Sequence, residues 1–246
     1  MLSVAAVIAA MMAIQMASLG FAPLLPAMQK DLAASYSQMG LFTGMYGIIA
    51  LFVSLPAGVF AARIGEKRAL LIGLAVTAIG LLSLSQAARY ETALLSRALW
   101  LIGYRTAFIG VFTAMAVVTP ERYRSRTMGI LGAMAALASV MGAPFGTRLA
   151  ESLGWRGGIQ GYAAISLVGA LTFGLFYRRQ RSQSSADAAG PHGAPLTGLG
   201  ALSALRHPII WGMILLGLIN MGGFSVTFFV PYAVQSVFGL GPQDAA

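Results

Sequence analysis

The stretch that decides the fold runs from residue 39 to residue 87. It reads MGLFTGMYGIIALFVSLPAGVFA (39–61), then ARIGEKR (62–68), then ALLIGLAVTAIGLLSLSQA (69–87). Neither flank contains a charged residue, and each is about as long as the ~20 apolar residues that cross ~30 Å of hydrocarbon. The seven residues between them hold Arg63, Glu66, Lys67 and Arg68. Two membrane spans joined by a short charged turn is the reading that fits, because an apolar helix of this length has no polar face to turn to water.

Working outward, the same alternation covers the chain. Apolar runs lie at about 2–26, 39–61, 69–87, 92–119, 127–150, 159–177 and 208–231. The breaks between them are Gln29-Lys30-Asp31, Arg63 to Arg68, Arg89-Tyr90-Glu91, Glu121 to Arg126, Glu151 to Arg156, and the long segment 178–207. Composition agrees: 58% of the 246 residues are hydrophobic and only 9% charged. A soluble domain runs near ~25% charged, so that class is excluded, as is disorder, which needs the opposite bias. The chain is expected to be all-α and multi-pass. Its first run is too long for a signal-peptide core of ~7–15 residues and reads as the first span.

The net charge of +9 is distributed in a way that speaks of topology. The even-numbered breaks carry Arg63, Lys67, Arg68, Arg122, Arg124, Arg126, Arg178, Arg179, Arg181 and Arg206. The odd-numbered ones carry Lys30, Arg89 and Arg156, with Arg148 at the end of span five. The positive-inside rule then puts the even breaks and the N-terminus in the cytoplasm of a cell-membrane protein. No basic, aromatic-interleaved patch suggests nucleic acid. Cysteine is absent, and His192 and His207 both fall in 178–207. No metal site, hydrolytic dyad or cofactor fold is therefore expected, and the reading is not that of an enzyme. The partners expected are the lipid bilayer and a small-molecule substrate.

Segment 178–207 is rich in Ser, Ala, Gly and Pro and reads as a cytoplasmic linker. Beyond it, residues 208–246 restart the pattern of span one. At an offset of 205, Gln15 matches Asn220, Met16 matches Met221, Pro26 matches Pro231 and Gln38 matches Gln243. A parallel repeat of two transporter halves would give that correspondence.

The break at 58–70, GVFAARIGEKRAL, resembles the signature loop of the major facilitator superfamily, Gly-x-Leu-Ala-Asp-Arg-x-Gly-Arg-Lys/Arg. Gly58, Arg63, Gly65, Lys67 and Leu70 match, and Arg68 adds a further cation. Ala62 stands where the family has an acid, and Glu66 where it has a base. Arg97 lies 23 residues before Pro120, as the family's span-four arginine does before its loop. Arg124-Ser-Arg126-Thr-Met-Gly129 is similar to the family's start of span five. Gly142-Ala-Pro144-Phe-Gly146 is similar to its span-five packing motif, with the proline one place late, and Gly154-Trp155-Arg156 to its Gly-Trp-Arg. The resemblance implies a six-helix N-terminal domain of 3+3 inverted repeats over 1–177, the linker, and the seventh helix within 208–246. On this reading the chain is a truncated part of a twelve-helix transporter that is monomeric when full length. The resemblance further implies that the loop at Gly58, Arg63, Gly65, Lys67 and Arg68 gates the cytoplasmic side.

Within the spans, Arg105 stands out. It lies near the centre of span four, about 20 Å from the outer end at ~1.5 Å per residue. A central arginine costs at least ~2.5 kcal/mol to insert, so it is expected to face the bundle interior or a wet cavity. Two readings are open: it binds an anionic group of the substrate through its guanidinium fork, or it pairs with an acid or carbonyl of another helix. Its place in the family usually holds a small residue. Arg97 lies two turns outward and about 80° around the helix at 100° per residue. The resemblance gives it a role in coupling substrate to protons, against snorkelling to the headgroups. Gln15 and Asn220, the central amides of spans one and seven, are candidate substrate hydrogen-bonders or partners in an interhelical bond. Tyr46, Trp100 and Tyr104 either line the path or pack. Gly40/Gly44, Gly142/Gly146 and Gly157/Gly161 are spaced for close helix contact.

No carboxylate falls inside a span: Asp31, Glu66, Glu91, Glu121, Glu151, Asp187 and Asp244 sit at span ends or in breaks. Three functions are carried forward. The first is alternating-access transport of a small anion or organic acid, with coupling to a proton or another ion. The second is proton-coupled efflux of amphipathic compounds. The third is a membrane fragment that does not transport.

Overall fold

In the computed structural model of the chain, the described residues are 2–177 and Trp211. The expected linker and the seventh span, with Asn220, lie outside them.

The described residues are helical throughout, with no strand among them. They form α1 (Leu2–Gly20), α2 (Leu25–Asp31), α3 (Tyr36–Ile64), α4 (Glu66–Ser85), α5 (Tyr90–Val118) and α6 (Arg124–Phe176). Short 3₁₀ turns at Ala22–Leu24 and Glu121–Tyr123 link α1 to α2 and α5 to α6. Five helical stretches are long and apolar enough to cross a membrane: α1 with α2, α3, α4, α5, and Glu121–Phe176. The last bends at Gly154 into arms 124–153 and 155–176, so the described chain makes six crossings.

That bend is tighter than the sequence suggests. The charged run Glu151 to Arg156 reads as a loop, yet helix continues through it except at Gly154, which takes φ 70° and ψ 175°. Glycine is the residue that adopts such a dihedral without a Cβ penalty, and one left-handed residue is enough to reverse the helix direction. α3 outruns its apolar run because polar residues cap it. At the head of α3, Ser35 Oγ accepts from the Gln38 amide at 3.2 Å while Gln38 Oε1 accepts from the Ser35 amide at 2.7 Å. This reciprocal pair satisfies two donors the helix leaves unpaired.

Packing is set by small residues. The α4–α5 seam closes at four glycines. A Cβ on Gly73 would meet the backbone of Ala107, one on Gly80 that of Trp100, one on Gly103 that of Thr77, and one on Gly110 that of Leu70. The α1–α6 contact closes at Gly142, which lies against Met16 and Gly20, and the two arms of α6 close on each other at Gly146, which lies against Tyr162. Pro144 sits within that helix between them, and Tyr162 Oη donates to the Gly142 carbonyl at 2.8 Å. Gly40 and Gly44 were expected to serve close approach as well. Nothing among the described residues lies within 4 Å of a Cβ built on either of them. They are on the face of α3 that also exposes Leu41, Ile48, Leu51 and Phe52.

Hydrogen bonds tie the two ends of the bundle. At one end Arg156 and Trp155 Nε1 both donate to Asp31, and Arg156 also donates to the Ala87 carbonyl at 2.9 Å. Tyr90 Oη donates to the Gln38 carbonyl at 2.7 Å. Breaks one, three and five therefore meet at this end. At the other, Tyr177 Oη donates to Glu66 at 3.1 Å and Lys67 Nζ donates to the Tyr177 carbonyl at 3.3 Å. Odd and even breaks on opposite ends is what six successive crossings require.

Candidate functional site

The central polar cluster is built from α1, α3 and α5. Tyr104 Oη donates to Gln15 Oε1 at 2.6 Å, joining α5 to α1. The Arg105 guanidinium lies 4.3 Å from the centre of the Tyr46 ring on α3 and 5.8 Å from that of Tyr104. The two tyrosine rings are 6.0 Å apart. Arg105 and Gln15 are half-buried, and Arg105 Nε is buried with no hydrogen-bond partner among the described residues. The bond from Tyr104 occupies the carbonyl end of Gln15, so its amide NH₂ is the end presented as a donor. The cluster thus offers donors from a permanent cation and an amide, with aromatic faces beside them. That chemistry suits a carboxylate or another anion better than a cation.

From Tyr104 an aromatic ladder descends α5 at helical spacing. Tyr104 and Phe108 stack at 5.8 Å, and Phe108 and Phe112 follow at 4.9 Å. Phe112 is 37% exposed, so the ladder runs from the buried cluster towards the surface of the described bundle. The i, i+4 spacing was legible in the sequence; the face on which it lies was not.

Arg97 occupies a different environment. It is 1% exposed, with its guanidinium 4.2 Å from the Phe21 ring, 4.0 Å from Trp100 and 5.4 Å from Phe42. None of its three nitrogens has a hydrogen-bond partner among the described residues, and Trp100 Nε1 also lacks one. Aromatic faces stabilise the charge, worth ~2 kcal/mol or more when desolvated, but they do not satisfy the N–H groups. The snorkelling alternative is overturned by this burial. The rings that the Arg97 guanidinium faces are those of Phe21, Phe42 and Trp100, not the Tyr46 and Tyr104 rings that flank Arg105.

The expected gating loop turns at Gly65, whose φ of 85° is a left-handed value that favours glycine. Arg63 and Arg68 are exposed, and Ala62, at the place of the family's acid, is exposed too. Glu66 is buried and faces Tyr177 Oη. Lys67 reaches the same residue's carbonyl. Two of the four charged side chains are therefore engaged within the bundle. At the opposite end the Arg156 guanidinium beside Asp31 holds that carboxyl below the usual carboxylate range. Sequence reasoning missed both end clusters, because Tyr177 and Asp31 are far in sequence from their partners and carry no local motif. Asn220 lies outside the described residues.

Comparison with known proteins agrees with this architecture. A sequence model described as Major Facilitator Superfamily matches residues 4–246. A probable sugar efflux transporter of Mannheimia succiniciproducens is 32% identical over 136 residues, covering 53% of this chain and 34% of that protein. A probable sugar efflux transporter of Helicobacter acinonychis is 24% identical over 216 residues, covering 85% and 52%. A quinolone resistance protein, NorA, of Staphylococcus aureus is 24% identical over 129 residues, covering 52% and 33%. The chain thus spans about half the length of these relatives, or less. Among solved structures, a bacterial homologue of the human lysosomal transporter Spinster, in an inward-facing and unoccupied conformation, superposes with a TM-score of 0.73. It shares 19% identity, and the match covers 99% of this chain and 57% of that one.

Proposed function

This chain belongs to the major facilitator superfamily, and we propose on that premise that it serves secondary active transport of a small organic anion by alternating access. The observation that carries the anion is Arg105, a half-buried cation between two tyrosines with a buried, unpartnered Nε. Gln15, presented by Tyr104, supplies a second donor from α1. By analogy Asn220 would supply the matching amide from the seventh span. Transport needs no covalent chemistry, only a substrate held differently in the two facing states. The proposed orientation places the N-terminus and the Gly65 turn in the cytoplasm of a cell-membrane protein, following the arginine distribution.

A second reading, export of amphipathic compounds, is favoured by the Tyr104, Phe108 and Phe112 ladder. The Asp and Glu side chains of the described residues all sit near helix ends, so proton coupling through a mid-span carboxylate would draw on residues beyond them.

The test is counterflow in proteoliposomes, comparing wild type with Arg105→Ala and Arg105→Lys over a panel of organic anions and neutral amphiphiles. Arg105→Ala is expected to lower anion transport at least tenfold, with Arg105→Lys between the two. Anion transport that survives Arg105→Ala unaltered would remove the anion reading. Neutral-amphiphile transport that persists in Arg105→Ala but is abolished by Phe108→Ala would favour the second. Assay of the 246-residue chain by itself tests whether these spans suffice.

A further inference from the structure

Between α3, α4 and α5 lies an apolar groove of about 470 Å³. Val53, Pro56 and Phe60 form one wall, Ile72 and Val76 the other, and Ile102 closes the back. Its floor is where α4 and α5 touch at Gly73 and Gly103, so no side chain rises from it. The hydroxyl in the lining, that of Thr106, is already committed to the Ile102 carbonyl at 2.9 Å. A polar solute would find nothing to bond there; a hydrocarbon chain would find a slot.

The end of that slot is charged. Arg63 follows Phe60 by three residues, about 4.5 Å of rise along α3, and Arg68 precedes Ile72 by four, about 6 Å along α4. Residues three or four apart share a helix face, so each arginine lies on the face of the groove residue beside it. Both are exposed, and neither has a hydrogen-bond or ion-pair partner among the described residues. Their neighbours Glu66 and Lys67 are turned instead to Tyr177. An apolar slot ending at two unengaged arginines matches one kind of molecule.

We propose that an anionic phospholipid of the surrounding bilayer seats here, one acyl chain in the groove and its phosphate on Arg63 and Arg68. The glycine floor admits the chain, and the two guanidiniums select the charge. The site is separate from the Arg105 cluster and does not depend on what is transported.

Native mass spectrometry of the purified chain tests this, with a phosphatidylglycerol and a phosphatidylcholine of the same acyl chains added in equal amounts. Phosphatidylglycerol is expected to be retained roughly thirtyfold more, as two arginines each favouring the anionic lipid would give. Arg63→Gln/Arg68→Gln should remove the preference, while Arg63→Lys/Arg68→Lys should keep most of it. Val76→Trp, which fills the groove, should weaken retention of both lipids. Arg124→Gln/Arg126→Gln, two exposed arginines of a different break at the same end, should leave the preference intact. Equal retention of the two lipids by the wild type would overturn the proposal. So would an equal loss from both arginine pairs, which would mark diffuse surface charge, or unchanged retention by Val76→Trp. Helicity and monodispersity of each variant confirm that a loss is not unfolding.

Discussion

Arg97 and Arg105 are eight residues apart on α5 and have opposite surroundings. Arg105 stacks on one side and leaves a donor to offer, whereas Arg97 is enclosed by rings with every N–H unmet. A buried charge without hydrogen bonds is costly, and an apolar residue of similar volume is often neutral or stabilising in its place. Arg97→Met should therefore match or exceed the wild-type melting temperature in detergent. Arg97→Lys should lower it, since a compact ammonium cannot stack as a planar guanidinium does. A fall with Arg97→Met would contradict the account of its N–H groups as unmet. Tyr104→Phe belongs at this scale too. It deletes the bond that orients Gln15, so the half-saturation constant for transport should rise several-fold, less than for Arg105→Ala, with a stability loss near ~1 kcal/mol. The identities of these residues were legible in the sequence, and so was the depth of Arg105. Their partners were not, because a helix apolar all round gives no periodic signal of which face looks inward.

The helices were legible as apolar runs, and the loop at Gly65 as a turn, since charge and glycine are local signals. Glycine spacing was a poorer guide to which helices touch. The four-residue pairs Gly40/Gly44 and Gly142/Gly146 look alike, yet the second packs against α1 and Tyr162 while the first meets nothing among the described residues. The α4–α5 contact uses a seven-residue spacing instead, Gly73/Gly80 on one helix and Gly103/Gly110 on the other. Substitution should separate these cases. Gly103→Val and Gly80→Val would drive a side chain into a neighbouring backbone and should cost ~1–3 kcal/mol or more, read as a lower melting temperature. Gly44→Ala should be neutral or stabilising by up to ~1 kcal/mol, because alanine is the better helix former and its methyl meets nothing. A destabilising Gly44→Ala in the isolated chain would show that this face of α3 is covered.

At the scale of the bundle, the six described crossings are gathered at each end by long-range bonds that no motif announced. Asp31, Trp155, Arg156 and Ala87 join three breaks across the end opposite the Gly65 turn. The carboxyl of Asp31 is held below its unfolded value of ~3.9. Its contribution is therefore complete above that pH and is lost as the pH falls through the lowered folded value. The melting-temperature gap between wild type and Asp31→Asn should be flat from about pH 5 to 8 and narrow well below pH 4. The pair is 39% and 44% exposed, so the gap should stay within about 4 °C. Arg156→Ala should cost more, since it also releases the Ala87 carbonyl. A gap that widens on acidification would reverse the sign and contradict the pairing.

Tyr177 closes the opposite end, its hydroxyl on Glu66 and its carbonyl held by Lys67. It is also where the sixth crossing ends and the backbone runs on to residue 178. A pull on the chain beyond that point is therefore shared: the backbone carries it into the sixth helix, and the bonds to Glu66 and Lys67 carry part of it into the first turn of α4. In mechanical terms the bundle is moored at the Gly65 turn, so tension in the downstream chain loads two helices rather than one.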